Sequence, residues 1–543
     1  MDPEEVYRFA EEAVRAATER GLNNVQQIIL KGSLRGETYE QIAETCHYSV
    51  GYLKRCAGPL LWETLTEALR EEIGKTNCQA VLERRLRNVE SVPENRHYSP
   101  ARPDWFANEF RVPELGTFLG RTTELNRLEQ WIVTDRCRLI LLSGAGGIGK
   151  TSLVAKLADH VRNQVDDFNA VLWVSLITAP PIEHVFRTLL EGVSPEQAAS
   201  PESPEQRMPQ IMHLLRTYRL LLVFDHVETL FRAGDRAGYF DPSHRLYEEF
   251  IQQLSETTHR SCVVLISREE PVIQHRGEPY VQRLKLKGLQ PEDAKQIIEF
   301  HGVSSAQRGV EELIQLYRGN PLALRMAIST IQEVFSGNIY QLLSQGTVLV
   351  DDPLLSLLRE QFNRLSELER NVLYWLIIES NPLSFTELRV NVRHFITSGA
   401  DLMVVLQSLK RRSMLEDFDV EVNGTSFSLP PMVRKYGISK LIEQSCQDIS
   451  SVLANQSVQQ FGLLKTHLLI KDQSPTSMSQ STQLDLLCKP ILHRLYELFQ
   501  DQNEIKTRLK RLLERLQGKA TQFIGYADVN IQNLLELIDG EAS

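Results

Sequence analysis

The sequence predicts a multidomain protein of class α/β plus α. Its centre is a doubly wound parallel sheet with a phosphate-binding loop, accompanied by an N-terminal helix-turn-helix domain, a small helical domain, a winged helix and a C-terminal helical domain. Three observations predict this architecture: a strand, a glycine-rich turn and a helix follow one another over residues 138–158, further apolar strands end in polar side chains, and both flanks show helical periodicity. At 543 residues the chain is too long for a single hydrophobic core.

The composition is that of an ordinary globular protein, with 42% hydrophobic and 24% charged residues. The first residues are acidic, and no apolar run approaches the roughly 20 residues of a membrane span, so we expect a cytoplasmic protein without a membrane segment. Seven scattered cysteines without a C-x-x-C pair predict reduced thiols, with neither a disulfide scaffold nor a structural metal. A net charge of −10 argues against a surface that coats nucleic acid.

The first domain, residues 1–95, has a helix-turn-helix pattern. Thr38 starts a capping box at the head of one helix, and Ser49 can cap the next helix, which contains Lys54 and Arg55. These two cations suit contacts with DNA phosphates, but the glutamates around them and a Gly-Pro break in the helix favour a protein-binding adaptor. DNA binding stays open as the alternative.

A phosphate-binding loop lies in the second domain, residues 115–284, which follows a linker over residues 96–114. The segment GAGGIGKT fits the pattern G-x-x-x-x-G-K-[ST] between an apolar strand and a helix. Its glycines allow backbone N–H groups to surround a β-phosphate, and the helix N-terminus adds its positive dipole end. Lys150 would reach β- and γ-phosphate oxygens, and the Thr151 hydroxyl would bind Mg²⁺. The predicted nucleotide ligands of the loop are Gly144, Gly146, Gly147, Ile148, Gly149, Lys150, Thr151 and Ser152.

Two further strands complete the predicted site. One ends at Asp225, the expected second Mg²⁺ ligand. The next residue is His226, where hydrolytic ATPases often carry an acidic base, so Glu228 is the remaining candidate to activate water and slow turnover is expected. Arg268 follows the other strand and would reach a γ-phosphate as a bidentate donor. The predicted catalytic residues are Lys150, Asp225, Glu228 and Arg268.

Two short segments extend this series, Gly-Arg at residues 120–121 and Gly-Asn-Pro at residues 319–321. Together with the loop and the two strand ends, they resemble the STAND class of signal-transduction NTPases, and more narrowly its NB-ARC branch, over roughly residues 115–445. The resemblance implies ATP or ADP with Mg²⁺ as the cofactor. The further site residues that it implies are Gly120 and Arg121 on the base side of the nucleotide, Arg268 as the sensor arginine, and Pro321 against the adenine or its sugar.

The remaining domains are predicted at residues 285–349 (small helical), 350–445 (winged helix) and 446–543 (C-terminal helical). Three amphipathic helices and a hairpin with an Asn-Gly turn predict the winged helix. In the family this domain usually offers a Met-His-Asp motif to the β-phosphate of ADP, but the matching stretch here has prolines at positions 430 and 431. Other contacts must therefore hold the inactive state. Basic residues end its third helix, and we expect them to serve packing on the nucleotide domain rather than DNA contact.

The resemblance implies an ATP/ADP-controlled switch whose ATPase activity is slow and regulatory. On receiving a signal it would exchange ADP for ATP, form a homo-oligomer and recruit an effector protein through residues 1–95. That N-terminal domain is similar to the vWA-MoxR-associated type of bacterial conflict systems, which implies a role in bacterial defence. The sensor would be either a separate protein bound to the C-terminal region or that region itself. The alternatives are an ATP-dependent helix-turn-helix transcription regulator and an ordinary AAA+ turnover enzyme.

Overall fold

The structure is a computed structural model, and the chain divides into two compact units, Met1–Ser99 and Pro100–Ser543. The residues that it describes are 6, 7, 9–11, 14, 22, 24–46, 50–69, 71, 73–82, 84, 112, 113, 115–164, 167–191, 203–273, 280–346, 348–379, 381–420, 424–455, 461–471, 480–499 and 501–541. Among the helices of these residues, none combines the length and the apolar character needed to span a bilayer.

The first unit is helical and has its own apolar core, formed around Leu30, Ile42, Leu53 and Leu61. Its helices are α1 Asn24–Leu34, α2 Tyr39–Cys46, α3 Val50–Tyr52 and α4 Gly58–Leu69, with a π-helical turn at Leu53–Ala57. The predicted capping box at Thr38 is present, because the Thr38 N–H donates to Gln41 Oε1 at 2.8 Å. The predicted cap at Ser49 lies outside the described residues, as does the side chain of Arg55.

The predicted break at the Gly-Pro pair is wrong, because the helical backbone continues through the π turn into α4. The wider turn accommodates Pro59, which lacks the N–H that a regular α-helix would use. Gly58 is required by packing: a Cβ there would lie 2.4 Å from the Tyr39 hydroxyl. The Gly-Pro pair therefore does not interrupt the second helix of the predicted helix-turn-helix, and it no longer argues against DNA binding by this domain.

A five-stranded parallel sheet forms the centre of the second unit, as predicted. Its strands are β1 Leu139–Gly144, β2 Ala170–Ser175, β3 Leu220–Asp225, β4 Cys262–Ser267 and β5 Val281–Leu286, in the order β2-β3-β4-β1-β5. Every neighbouring pair is parallel. Strands β1, β3 and β4 are buried along their whole length because helices cover both faces of the sheet. Their carboxyl ends open at one edge, which is where ligands bind in folds of this kind.

The helices beside this sheet form two separate apolar cores, one on each face. They are α5 Thr122–Glu129, α6 Lys150–Gln164, α7 Ile182–Glu191, α8 Pro204–Thr217 and α9 Arg245–Glu256. Alternate residues of β1 divide between the cores, with Leu139 and Leu141 packed against α7 to α9, and Ile140 and Leu142 packed against α5 and α6. The sheet is therefore covered on both sides, and its polar edge stays available.

A small group of helices follows the sheet: α10 Pro291–Phe300, α11 Val310–Leu316, α12 Pro321–Phe335 and α13 Ile339–Ser344. The predicted winged helix contains α14 Asp352–Asn363, α15 Glu367–Glu379, α16 Phe385–Val392 and α17 Gly399–Arg411. Its strands β6 Leu383–Ser384, β7 Glu416–Val420 and β8 Gly424–Ser428 form an antiparallel sheet in the order β6-β8-β7. The hairpin was predicted, whereas α14 and the short β6 were not.

The last helices pack on the winged helix rather than apart from it. They are α18 Pro431–Asn455, α19 Leu463–Thr466, α20 Gln480–Gln483, α21 Lys489–Phe499, α22 Gln502–Leu516, α23 Thr521–Ile524 and α24 Ala527–Glu541, with a π turn at Leu484–Cys488. One continuous apolar core runs from Leu289 in front of α10 to Ile538 in α24. The second unit thus has sheet cores on one side and a single helical core on the other.

Candidate nucleotide site

The glycine-rich loop between β1 and α6 has a backbone that only glycine adopts easily. Gly147 has φ 73° and Gly149 has φ 95°, both in the left-handed region. A Cβ on Gly147 would also lie 2.8 Å from Leu322 of α12. The loop is therefore curled on itself and pressed against the helix that follows the Gly-Asn-Pro segment.

A cavity of about 500 Å³ lies at this loop, at the carboxyl edge of the sheet. Several residues predicted from the sequence line it: Arg121, Gly147, Ile148, Gly149, Lys150, Thr151, Ser152, Asp225, Glu228, Arg268 and Pro321. Gly120, Gly144 and Gly146 belong to the same segments but do not line the cavity. Side chains that the sequence did not single out also line the cavity, among them Phe118, Ile297, Phe300, His301 and Arg325.

Lys150 is buried and bends back over its own loop. Its Nζ donates to the carbonyl oxygens of Gly144 at 2.8 Å and Ala145 at 2.9 Å. Burial lowers the pKa of this ammonium from 10.5 to about 8, and the nearby carboxylates only partly oppose that effect. An anion beside Lys150 would offset the cost of burying the charge, which is the role expected of a phosphate group.

Thr151 and Asp225 contact each other directly. The Thr151 hydroxyl donates to Asp225 Oδ2 at 3.0 Å. Burial raises the pKa of the Asp225 carboxyl, against the opposing attraction of His226. A hydroxyl and a carboxylate oxygen at this spacing are hard ligands of the kind that Mg²⁺ takes. The two residues predicted to hold the metal are therefore neighbours at the end of β3.

Glu228 is buried and faces Arg268. The Arg268 backbone N–H donates to Glu228 Oε2 at 3.1 Å, and Arg268 Nε lies 3.3 Å from Glu228 Oε1. Burial would raise the pKa of Glu228, but the attraction of His226 and Arg268 outweighs it and holds the pKa at about 2. Glu228 is thus an ionised carboxylate engaged with the predicted sensor arginine.

Arg268 has a second carboxylate partner that the sequence analysis missed. Its Nη1 donates to Glu360 Oε2 at 2.7 Å, and Glu360 lies on α14 of the winged helix. The two residues are 92 positions apart, so no local sequence pattern reports the contact. A side chain of the winged helix therefore contacts an arginine that lines the cavity.

Arg121 lies next to the loop, and most of its hydrogen bonds join it to backbone carbonyls of the loop and of the segment before α10. Its Nη2 donates to the carbonyl oxygens of Ile148 at 3.1 Å and Lys287 at 2.6 Å, and its backbone N–H donates to Asp293 Oδ2 at 3.2 Å. A Cβ on Gly120 would lie 2.5 Å from Asp293 Cγ, so this pair forms a tight corner against α10. The Gly-Arg pair thus ties the loop to the entry of the small helical domain, while Arg121 also borders the cavity.

The Gly-Asn-Pro segment contacts the loop mainly through its asparagine. Asn320 Nδ2 donates to the Gly146 carbonyl at 3.0 Å, while its Oδ1 accepts from the N–H groups of Leu322 and Ala323 at the start of α12. An asparagine before a proline is a recognised helix start, and this signal was available in the sequence. Pro321 follows in the cavity wall, with its Cγ 3.9 Å from the place of a Cβ on Gly149.

Of the basic residues at the end of α17, Arg412 packs its side chain on the nucleotide domain, as the sequence analysis expected. Arg412 is buried, and it donates from Nη1 to Glu269 Oε1 at 2.6 Å and from Nη2 to the Asp235 carbonyl at 2.6 Å. The Glu270 N–H donates to the Arg411 carbonyl at 3.0 Å. These contacts leave the Arg412 guanidinium inaccessible to DNA phosphates.

Two family models match this chain. Residues 121–307 match the NB-ARC domain, and residues 1–85 match the N-terminal helix-turn-helix of vWA-MoxR associated proteins. The chain contains an NB-ARC domain. This match agrees with the P-loop NTPase core that the parallel sheet and the glycine-rich loop form.

Two curated relatives of this chain are longer than the chain itself. The chain is 33% identical over 465 residues to a WD repeat-containing protein of Nostoc. The matched region covers 78% of this chain and 36% of that relative. The chain is 26% identical over 146 residues to the disease resistance protein RPS5 of Arabidopsis thaliana, covering 26% of this chain and 16% of that protein. The chain thus spans about a third or less of these two relatives.

Two solved structures match parts of this chain at low sequence identity. A STAND protein with a tetratricopeptide repeat sensor from Pyrococcus horikoshii has a TM-score of 0.31 and 16% identity, over 80% of this chain and 59% of that one. The ORC2 protein of Aeropyrum pernix has a TM-score of 0.38 and 14% identity, over 63% of this chain and 98% of that one.

Proposed function

We propose that this protein is an ATP/ADP-controlled switch in signal transduction, with Mg²⁺ as the metal. The observation that carries the proposal is the composition of one cavity: the loop and strand ends come from the sheet, Pro321 comes from the small helical domain, and Glu360 of the winged helix pairs with Arg268 in its wall. A change of nucleotide at such a site changes the contacts between domains.

The residues of the site fit a Mg²⁺-bound nucleotide. The left-handed glycines leave room for phosphate oxygens, an anion beside the buried Lys150 would offset the cost of burying its charge, and Thr151 and Asp225 offer two oxygen ligands. The volume of about 500 Å³ lies within the usual range for small-molecule sites. Bound there, the metal would neutralise phosphate charge, and the protein residues would orient the nucleotide and exclude water.

The proposed catalytic roles follow the same positions. Lys150 and Arg268 stabilise negative charge, Asp225 and Thr151 hold the metal, and Glu228 is the candidate to orient water. Because Glu228 is held by Arg268 in this conformation, hydrolysis requires the arginine to change partners, which supports slow turnover. Arg121 borders the base side of the nucleotide beside Gly120, and the glycines that do not line the cavity act by shaping the loop.

The proposed output is assembly. Exchange of ADP for ATP would release the winged helix, allow copies of the chain to associate, and cluster residues 1–95 for an effector protein. Moving such an equilibrium from 1:99 to 99:1 needs about 5.5 kcal/mol of differential binding, which nucleotide contacts and association would share. The names of the Arabidopsis relatives, all disease resistance proteins, support a role in defence by analogy.

The decisive test combines two measurements on the purified full-length chain. The bound nucleotide is identified after denaturation, and the mass in solution is measured with ADP and with a non-hydrolysable ATP analogue. We expect bound ADP, and a larger assembly only with the analogue. Lys150→Ala should lose the nucleotide and block assembly; retention of both would exclude the switch. Multiple turnovers of several per second would favour an ordinary AAA+ enzyme.

A transcription regulator is the second candidate, favoured by the match of residues 1–85 to a helix-turn-helix family and by the exposed Lys54. A gel shift at two salt concentrations tests it, because phosphate contacts make affinity salt-dependent. Sequence-preferring binding that requires the ATP analogue and is lost in Lys54→Glu would establish this candidate. Absence of binding with either nucleotide would leave protein recruitment as the output.

A further inference from the structure

Helix α14 of the winged helix and the residue that follows it present three side chains to the nucleotide domain. Leu357 lines the cavity and lies 3.6 Å from the place of a Cβ on Gly146. Glu360 pairs with Arg268, and Arg364, one turn further on, donates from Nε to Glu269 Oε1 at 2.5 Å. Positions three and four apart share one face of a helix, so these three side chains contact the nucleotide domain from one side, beside the cavity.

The two carboxylates on Arg268 differ in how firmly they are held. Glu228 belongs to the same domain as Arg268 and is almost completely buried. Glu360 belongs to a different domain, and its side chain is 60% exposed. A movement of the winged helix therefore removes Glu360 from Arg268 and leaves Glu228 in place.

A γ-phosphate and the Glu360 carboxylate would compete for the guanidinium of Arg268. Arg268 lines the cavity together with Lys150, Asp225 and Glu228, and its guanidinium also pairs with the carboxylate of Glu360. A third phosphate beside Arg268 would compete with Glu360 for Nη1 and would be repelled by its charge. A nucleoside diphosphate has no group at that position.

We infer that Glu360 is a specificity-determining residue through which the closed conformation selects a nucleoside diphosphate over a triphosphate. The inference rests on the proposed function and deepens it. The contact between Glu360 and Arg268 would also help to hold the closed state in a chain that has prolines at the positions of the family's Met-His-Asp motif. The segment that contains those prolines does not line the cavity, and Arg434 within it donates to the Ile377 carbonyl inside the winged helix.

The test is a comparison of affinities for ADP and for a non-hydrolysable ATP analogue, each with Mg²⁺, in the full-length chain by titration calorimetry. Glu360→Gln keeps the shape and removes the charge. We expect it to shift the ADP-to-analogue affinity ratio toward the analogue by roughly fivefold or more, the lower end of common coupling factors. Glu360→Lys should shift the ratio further. Glu367→Gln, which removes an exposed carboxylate from the neighbouring helix, should leave the ratio at the wild-type value.

A second readout is independent of affinity. Release of α14 should expose the chain between the small helical domain and the winged helix, so the analogue should accelerate limited proteolysis there more in Glu360→Gln than in wild type. An unchanged ratio in Glu360→Gln, or an equal gain for both nucleotides, would overturn the inference. Wild type that binds both nucleotides without preference would also overturn it, while leaving the nucleotide site intact. Failure of wild type to bind either nucleotide would instead refute the proposed function.

Discussion

Arg412 of the winged helix and Glu269 at the end of β4 form an ion pair of 2.6 Å, with side chains that are 2% and 5% exposed. Arg412 also donates to Glu369 Oε1 at 3.0 Å, and Arg364 shares Glu269. Residues Arg268 and Glu269 are consecutive, so one strand end carries both the cavity's arginine and the carboxylate that holds the winged helix.

Removing Arg412 should destabilise the second unit strongly. Arg412→Met leaves Glu269 and Glu369 buried without their shared cation, and breaking a buried pair in this way costs about 3–5 kcal/mol. Urea unfolding of the full chain measures the change. Arg411→Met is the matched control, because that side chain is only partly buried and should alter stability by about 0.5 kcal/mol or less. Equal effects of the two substitutions would contradict the interpretation.

Lys150 should make the stability of the nucleotide-free chain depend on pH. Since burial lowers its pKa from 10.5 to about 8, the unfolded chain binds more protons than the folded chain between these values. The free energy of unfolding therefore rises with pH across that interval. Relative to Lys150→Met, wild type should gain at most about 3 kcal/mol between pH 7 and pH 10.5. Unfolding of both proteins at the two ends tests this, and a parallel response would refute it.

Asn320 should link the stability of α12 to the shape of the loop. Asn320→Ala removes the helix cap and the donor to Gly146, and should cost about 1–2 kcal/mol while weakening nucleotide binding. Asn320→Asp separates the two roles, because it keeps the cap acceptor and loses the donor. We expect near-normal thermal stability but weakened ADP binding in that variant. Normal binding in Asn320→Asp would show that the Gly146 contact is unimportant.

Glu228 should affect hydrolysis and Arg268 together. Wild-type turnover is expected below about 1 per second, the low end for typical enzymes. Glu228→Gln removes the charge beside Arg268 and should reduce turnover further in a single-turnover assay. Arg268→Lys is the companion variant, because it keeps a positive charge but loses the fork that reaches two carboxylates. A Glu228→Gln protein with unchanged turnover would exclude Glu228 as the residue that orients water.

The sequence predicted those features whose signals are local. The glycine-rich loop, the apolar strands and the helix after Asn320 can each be recognised from a stretch of about ten residues. In the structure, Lys150, Thr151, Asp225 and Arg268 line one cavity. A motif of this kind is compact because the phosphate contacts come from one strand, one turn and one helix.

The features that the sequence did not predict are contacts between distant segments. Glu360 on α14 reaches Arg268, and Arg412 reaches back 143 positions to Glu269. Nothing near either residue distinguishes it from a surface charge, because its role depends on where the winged helix packs. The Gly-Pro break in the first unit failed for another reason: a π turn is a backbone adjustment that composition does not encode.

The single apolar core from Leu289 to Ile538 couples the C-terminal helices mechanically to the helices beside the cavity. Helices α10 and α12 beside the cavity, α14 with Glu360 and the terminal helices up to α24 share one packed interior, which transmits strain because close-packed side chains resist compression. A load applied to the far helices would therefore be transmitted through packed side chains to α14 and to the helices beside the cavity. The ion pairs that follow β4 hold the winged helix on the nucleotide domain, and the helical core connects those ion pairs to the terminal helices.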